Sequence, residues 1–309
     1  MSKTKYRLIT RSDFDGLVCA VLLKELELID HIKFVHPKDM QDGKIEVSAG
    51  DITTNLPYVP GVHMSFDHHV SESIRNDSQP NHVIQPDAPS AARVVFNHYG
   101  GARTFGNRFD AMLAAVDKSD SAQFSREEIL DPDGWVLLNY LMDSRTGLGR
   151  FRDFRVSNYQ LMMDLIDYCR SHGIEDILKL PDVIERVELY FEHAAKAKAQ
   201  LQLCTTVHHN VAVLDLRDED TIYAVNRFMI YALFPTTNIS IHALWGVQKQ
   251  NTVFAVGKSI TNRSSPINIG AMLLEYGGGG HDNAGTCQIP NASAPGVLRE
   301  LIAKINAAS

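Results

Sequence analysis

Apolar residues along the chain come in short runs broken by polar turns, and the runs change character twice. Residues 6–10 read as a strand, 11–16 as a turn, and 17–29 as an apolar helix. Further strands are predicted at 33–36, at 44–49, where apolar and polar residues alternate, and at 62–66. Pro89-Ser90 is suited to open a helix running to about residue 99. Phe109, Met112, Leu113 and Val116 recur at helical spacing in the next one. Strands alternating with helices predict an α/β first domain, a parallel sheet with helices on both faces. From 125 to 180 the pattern turns helical. One long helix over 183–203, started by Pro181-Asp182, reads as a connector. Strands at 211–216, 239–245, 253–256 and 285–289, with a helix at 267–276, predict a smaller α+β second domain. The expected boundaries are 1–182, 183–203 and 204–309.

Composition narrows the picture. A chain of 309 residues with 44% hydrophobic and 22% charged residues suits two ordinary soluble domains. The net charge of -7, from 37 acidic and 30 basic residues, argues against broad capture of long nucleic acid. It leaves room for a short phosphorylated ligand gripped at one site. Cys19, Cys169, Cys204 and Cys287 lack paired spacing, so neither a zinc ribbon nor a disulfide framework is expected. The start of the chain is polar, with no signal peptide, and no apolar stretch could span a bilayer. The expectation is a cytoplasmic protein without membrane partners; a homodimer is compatible with the sequence.

The chemistry gathers at predicted element ends. Asp13 and Asp15 flank Phe14 after the first strand, Asp51 follows the third, and Asp67-His68-His69 follows the fourth. Ligands collect beyond the carboxyl ends of strands in open parallel sheets, so these residues can converge. Asp117, near a helix end, can close the same site. Carboxylate and imidazole together suit divalent cations such as Mn²⁺, and two cations can activate water and neutralise a phosphate. Adjacent imidazoles diverge, one toward metal and one toward phosphate, and Asp67 is suited to orient one of them. Taken singly, each feature has a plainer reading: a surface turn for the DxDG, a cap for Asp51, a solvated helix end for Asp117.

The set resembles the DHH phosphoesterase family in its subgroup with a C-terminal DHHA1 domain, the exopolyphosphatase-related and nanoRNase-like proteins. The resemblance rests on DFDG at 13–16, Gly50-Asp51, DHH at 67–69, AVDKSD around Asp117 and GGGGHDNAG at 277–285. It implies that Asp13 and Asp51 serve one cation and that Asp15, Asp51, His68 and Asp117 serve the other, with Asp51 bridging. His69 would face the phosphate as a catalytic group beside Asp67. Arg263, Ser264, Gly278, Gly279, Gly280 and His281 would bind substrate, the guanidinium by paired hydrogen bonds and the glycine run by backbone N–H groups. Many members carry a histidine where this chain has Ile9, which leaves the first cation to water or to a ligand such as His36. The expected activity is Mn-dependent hydrolysis of short phosphorylated substrates, whether oligonucleotide, linear dinucleotide or nucleoside bisphosphate, with Mg²⁺ the other candidate ion. The alternatives are an exopolyphosphatase and a catalytically silent nucleotide sensor.

Overall fold

A computed structural model describes residues 4–151 and 153–308; the polar start at residues 1–3 lies outside the described residues. The chain divides into two compact units, one of Met1–Gln123, Asp133–Ser144 and Leu148–Glu188, the other of Phe124–Pro132, Arg145–Gly147 and Leu189–Ser309.

The first unit is built on five parallel strands in the order β2-β1-β3-β4-β5. They are β1 (Tyr6–Arg11), β2 (Ile29–Val35), β3 (Asp51–Thr54), β4 (Met64–Asp67) and β5 (His82–Ile84). The helix Phe14–Glu25 is buried at every position from Phe14 to Leu23. A helix enclosed on all sides needs no polar face, hence its evenly apolar sequence. It packs against the helices Ala91–His98, Asp110–Asp120 and Asn158–Ser171. On the other face of the sheet, Ile9 meets Met40 and Leu56, with Ile45 and Val47 laid against them.

That last contact explains a difference from expectation. Residues 44–49 alternate because one side of the segment rests on the sheet, yet they form no strand. The ladder with β1 begins only where Asp51 pairs with Arg7, and all four residues of β3 are buried. The third strand therefore starts at Asp51 instead of ending before it. The helix after Pro89-Ser90 forms over Ala91–His98 with the Ser90 hydroxyl accepting from the Arg93 N–H at 3.0 Å.

A 24-residue helix, Pro181–Cys204, carries the chain from the first unit into the second. The second unit holds a mixed sheet in the order β10-β11-β9-β8-β7-β6. Its strands are β6 (Thr205–His208), β7 (Val211–Asp215), β8 (Ile239–Trp245), β9 (Thr252–Lys258), β10 (Gly279–Gly280) and β11 (Ala284–Ile289). Alternate residues Val211, Val213, Ile239, Ile241, Phe254 and Val256 share one face. They form a core with Leu273 of the helix Ile269–Leu274 and Leu301 of the helix Ala294–Ala307. All four cysteines are free thiols. No helix among the described residues is long and apolar enough to cross a membrane.

Candidate metal centre

Where β1 ends, the turn into the first helix places two carboxylates. Asp13 caps that helix, its Oδ1 accepting from the Gly16 N–H at 3.0 Å. A Cβ at Gly16 would lie 2.0 Å from the Arg11 carbonyl oxygen, so the turn requires glycine. Asp13 also accepts from Asn55 Nδ2 at 3.2 Å and pairs with Arg11 Nε at 2.9 Å. Asp15, in the first turn, is only 2% exposed. Its oxygens accept from the backbone N–H groups of Ala91 at 2.9 Å and Ala92 at 2.7 Å, the start of the next helix. Burial, followed by the nearby charges of Asp120 and Asp13, pushes its carboxyl up to about 8.

At the end of β4, Asp67 orders the two imidazoles behind it. Its Oδ1 accepts from the His68 backbone N–H at 2.9 Å and lies 2.7 Å from His69 Nδ1. This hydrogen bond raises the pKa of His69. His68 turns the other way, with the ring planes inclined at 58°. Its Nδ1 lies 3.1 Å from the Ala88 carbonyl oxygen, which can only accept, so Nδ1 carries a proton. The other nitrogen, Nε2, sits 2.9 Å from Asp120 Oδ2. Burial alone would lower the pKa of His68, but the bond and charge of Asp120, with Asp15 behind, hold it up at about 9. Two groups that are acceptors in their cation-binding forms thus face each other beside the buried Asp15. Something positive belongs between them, a proton or a cation.

Two sets of ligand atoms each lie within 4.8 Å of one another: Asp15, His68 and Asp120, and Asp67, His68 and His69. The donor set of carboxylate and neutral imidazole fits divalent cations such as Mn²⁺ or Mg²⁺. The accumulated acids, with Asp15 driven toward protonation, are those a cation would relieve.

Two expected ligands lie elsewhere. Asp51, the first residue of β3, sits at the amino end of the sheet, where Arg7 donates to it from Nε at 2.7 Å and Nη2 at 2.9 Å. Ser48 adds its backbone N–H at 2.6 Å and hydroxyl at 3.0 Å. The place beyond the carboxyl end of β3 belongs to Asn55 instead. Asp117 accepts from Ser90 Oγ at 2.7 Å and Arg93 Nε at 2.9 Å, which ties two helices together. The acid that faces His68 is Asp120, one helical turn further on, which the sequence reading passed over. His36 caps the short helix Pro37–Gln41, its Nδ1 accepting from the Lys38 N–H at 3.1 Å.

In the second unit, Gly279 and Gly280 form β10 against Thr286 and Gly285. A Cβ at Gly278 would lie 2.3 Å from the Thr286 carbonyl oxygen, and one at Gly270 would lie 2.4 Å from that of Gly280. Close backbone approach thus demands the glycines. The N–H groups of Gly278 and His281 are donated to the carbonyls of Leu273 and Ala284, so they do not serve an anion cradle here. Arg263 Nε donates to the Ile260 carbonyl at 3.1 Å, and Ser264 Oγ accepts from Asn238 Nδ2 at 3.0 Å.

A parallel sheet gathers acids and paired imidazoles at its carboxyl ends, and a separate mixed-sheet unit follows it in the chain. No family model and no curated protein matches the chain. Among solved structures it is similar to the pGpG-specific phosphodiesterase PggH from Vibrio cholerae: 61% sequence identity, TM-score 0.89, and coverage of 99% of this chain and 100% of that one. The chain belongs to the DHH phosphoesterase family. Its fold is shared with RecJ from Thermus thermophilus in complex with Mn²⁺ (14% identity, TM-score 0.56, 99% of this chain and 52% of that one). It is shared also with CDC45 from Entamoeba histolytica (9% identity, TM-score 0.57, 98% of this chain and 96% of that one).

Proposed function

We propose that the chain hydrolyses the linear dinucleotide pGpG, water adding across its phosphodiester to give two molecules of GMP. The observation that carries this reading is the 61% identity to a pGpG-specific phosphodiesterase over essentially the whole of both chains. Divalent cations would be held by Asp15, His68 and Asp120, with Asp13 at their edge and Asp67 and His69 beside them. When bound, they would activate water and neutralise charge on the phosphate. Asp67 accepts from the His69 Nδ1–H, and this hydrogen bond and the carboxylate charge favour the protonated ring. Its Nε2–H then donates to a phosphate oxygen as negative charge builds there. His68 is kept in the ligating tautomer by the Ala88 carbonyl. Residues 204–309, with Arg263 and Ser264, are proposed as a nucleotide-binding part of the chain.

The test is turnover of pGpG by purified protein with Mn²⁺, read by chromatography of GMP, beside a linear adenine dinucleotide, 3′-phosphoadenosine phosphate and polyphosphate. Preferential release of GMP, lost in His69→Ala, is the expected result. A metal-loaded protein that leaves pGpG intact while cleaving another substrate would overturn the choice of substrate.

A further inference from the structure

One row of buried polar side chains lies beneath the candidate centre, and of its members only Asp67 enters the chemistry proposed there. Strands β3, β4 and β5 run in register, with Thr53 beside Ser65 and Ser65 beside His82. Paired positions in a parallel sheet project from the same face, as does Asp67, two residues beyond Ser65. Thr53 Oγ1, Ser65 Oγ, His82 Nε2 and Asp67 Oδ2 are all buried and have no hydrogen-bond partner among the described residues. Thr53 and Ser65 are 0% exposed and Asp67 is 1% exposed. Leaving such a group orphaned is costly, and folds rarely leave them in numbers. Four in one row are a pattern.

The opposite face of the same strands shows how this fold treats buried hydroxyls elsewhere. There Thr54 Oγ1 donates to Thr10 Oγ1 at 2.7 Å, and Thr10 Oγ1 donates to the Thr54 carbonyl at 3.1 Å. On the orphan face no group among the described residues answers. Neighbouring strands lie about 4.8 Å apart. A water molecule with two hydrogen bonds of about 2.8 Å reaches across roughly 5.6 Å, so it fits between adjacent side chains. Ile9, in register with Thr53 and fully buried, closes the row on one side with an apolar wall. His82 closes it at the edge strand, its ring stacked on Tyr58 at 4.7 Å. Burial lowers the His82 pKa, so its neutral ring offers both a donor and an acceptor.

We propose that this row is a built site for ordered water, which bridges Thr53, Ser65 and His82 to the free oxygen of Asp67. Bound there, water holds the Asp67 carboxylate so that its other oxygen stays on His69 Nδ1. Thr53, Ser65 and His82 are then positioning residues for the His69 ring, acting through water and Asp67 and never touching substrate. Their effect on turnover rests on the function proposed above; the water site itself does not.

A crystal structure of the wild-type protein at atomic resolution tests the site directly. Water within hydrogen-bond reach of Asp67 Oδ2 and Ser65 Oγ is expected. Density in which the hydroxyls rotate onto protein groups and the row is dry would overturn the proposal. For the positioning role, Ser65→Ala and Thr53→Val should each lower kcat on pGpG about 10-fold, the low end for an outer-shell partner. KM and Mn²⁺ affinity should stay unchanged, and Thr53→Ser should retain the wild-type kcat. Wild-type kcat in both hydroxyl-free variants would overturn the positioning role. If wild type itself spares pGpG, the substrate reading falls, while the density still decides the water site.

Discussion

Aspartates stand at both ends of the parallel sheet, and their partners differ in kind. At the amino end Asp51 receives a guanidinium, a hydroxyl and a backbone N–H. Burial would raise its pKa, but Arg7 and Ser48 more than compensate and hold it below the usual carboxylate range. At the carboxyl end Asp15 receives two backbone N–H groups, but deep burial, followed by the charges of Asp120 and Asp13, pushes it the other way, up to about 8. One end is electrostatically complete within the protein. The other is short of positive charge, which is the condition a cation site has to meet. Both residues are 2% exposed, so exposure alone does not separate the structural aspartate from the candidate ligand; the partners around each carboxylate do.

The comparison breaks most visibly if its carboxyl end is altered. Asp15→Asn and Asp120→Asn should each weaken Mn²⁺ binding and cut turnover of pGpG by more than about 100-fold, beyond what outer-shell partners cause. Calorimetric titration with Mn²⁺ and GMP release read the two effects. Asp117→Asn, by contrast, removes the grip on Arg93 and Ser90 and should change metal affinity less than about 10-fold. Undiminished affinity in Asp120→Asn with loss in Asp117→Asn would return the ligand role to Asp117.

Acidity sharpens the same contrast without mutation. In chelator-treated protein the folded-state pKa of His68, at about 9, stands above its ordinary 6.5, so the folded state holds its proton longer than the unfolded one. That stability is fully present below pH 6.5 and is lost as pH rises through 9. Asp15 acts in the same direction between its ordinary 3.8 and about 8, as its ionisation is disfavoured by folding. The melting temperature without metal should therefore fall steadily from pH 6 to pH 9, by several degrees on the scale of about 1–2 kcal/mol. Saturating Mn²⁺ should flatten that slope, because the cation takes the place of the proton. A metal-free slope of zero would mean that the acids are satisfied by some other group.

How much of this was readable from the chain depends on whether a feature is local. The strands β1 and β8 and the Ser90 cap follow from neighbouring residues and appear as expected, whereas the turn expected at 11–16 is shorter because the helix already begins at Phe14. The DHH tripeptide also discloses its arrangement, since adjacent residues at a strand end must diverge. Register is another matter. The alternation over 44–49 is real, but whether it marks a strand depends on what β1 pairs with, and that shifted Asp51 from one end of the sheet to the other. Asp117 and Asp120 lie one turn apart on one helix, so only packing against Arg93 and His68 tells them apart. The orphan row of Thr53, Ser65 and His82 has no signal in the sequence, because it exists only across three strands.

The smallest effect is expected at Asp51, and it is the most discriminating because the family pattern points the other way. Asp51→Asn keeps the shape and can still accept from Ser48, but it loses the charge that pairs with Arg7. Arg7 is 39% exposed, so solvent screens the pair and the cost should be near about 1 kcal/mol, well under the value for a buried pair. Mn²⁺ affinity and turnover of pGpG should remain within about 3-fold of wild type, as for a substitution far from the reacting groups. The double variant with Arg7→Leu should be no less stable than Asp51→Asn alone if the two residues act only on each other. Collapse of metal binding in Asp51→Asn, in a protein that still melts cooperatively, would mean that the amino end of β3 reaches the centre after all. The electrostatic contrast between the two ends of the sheet would then lose its meaning.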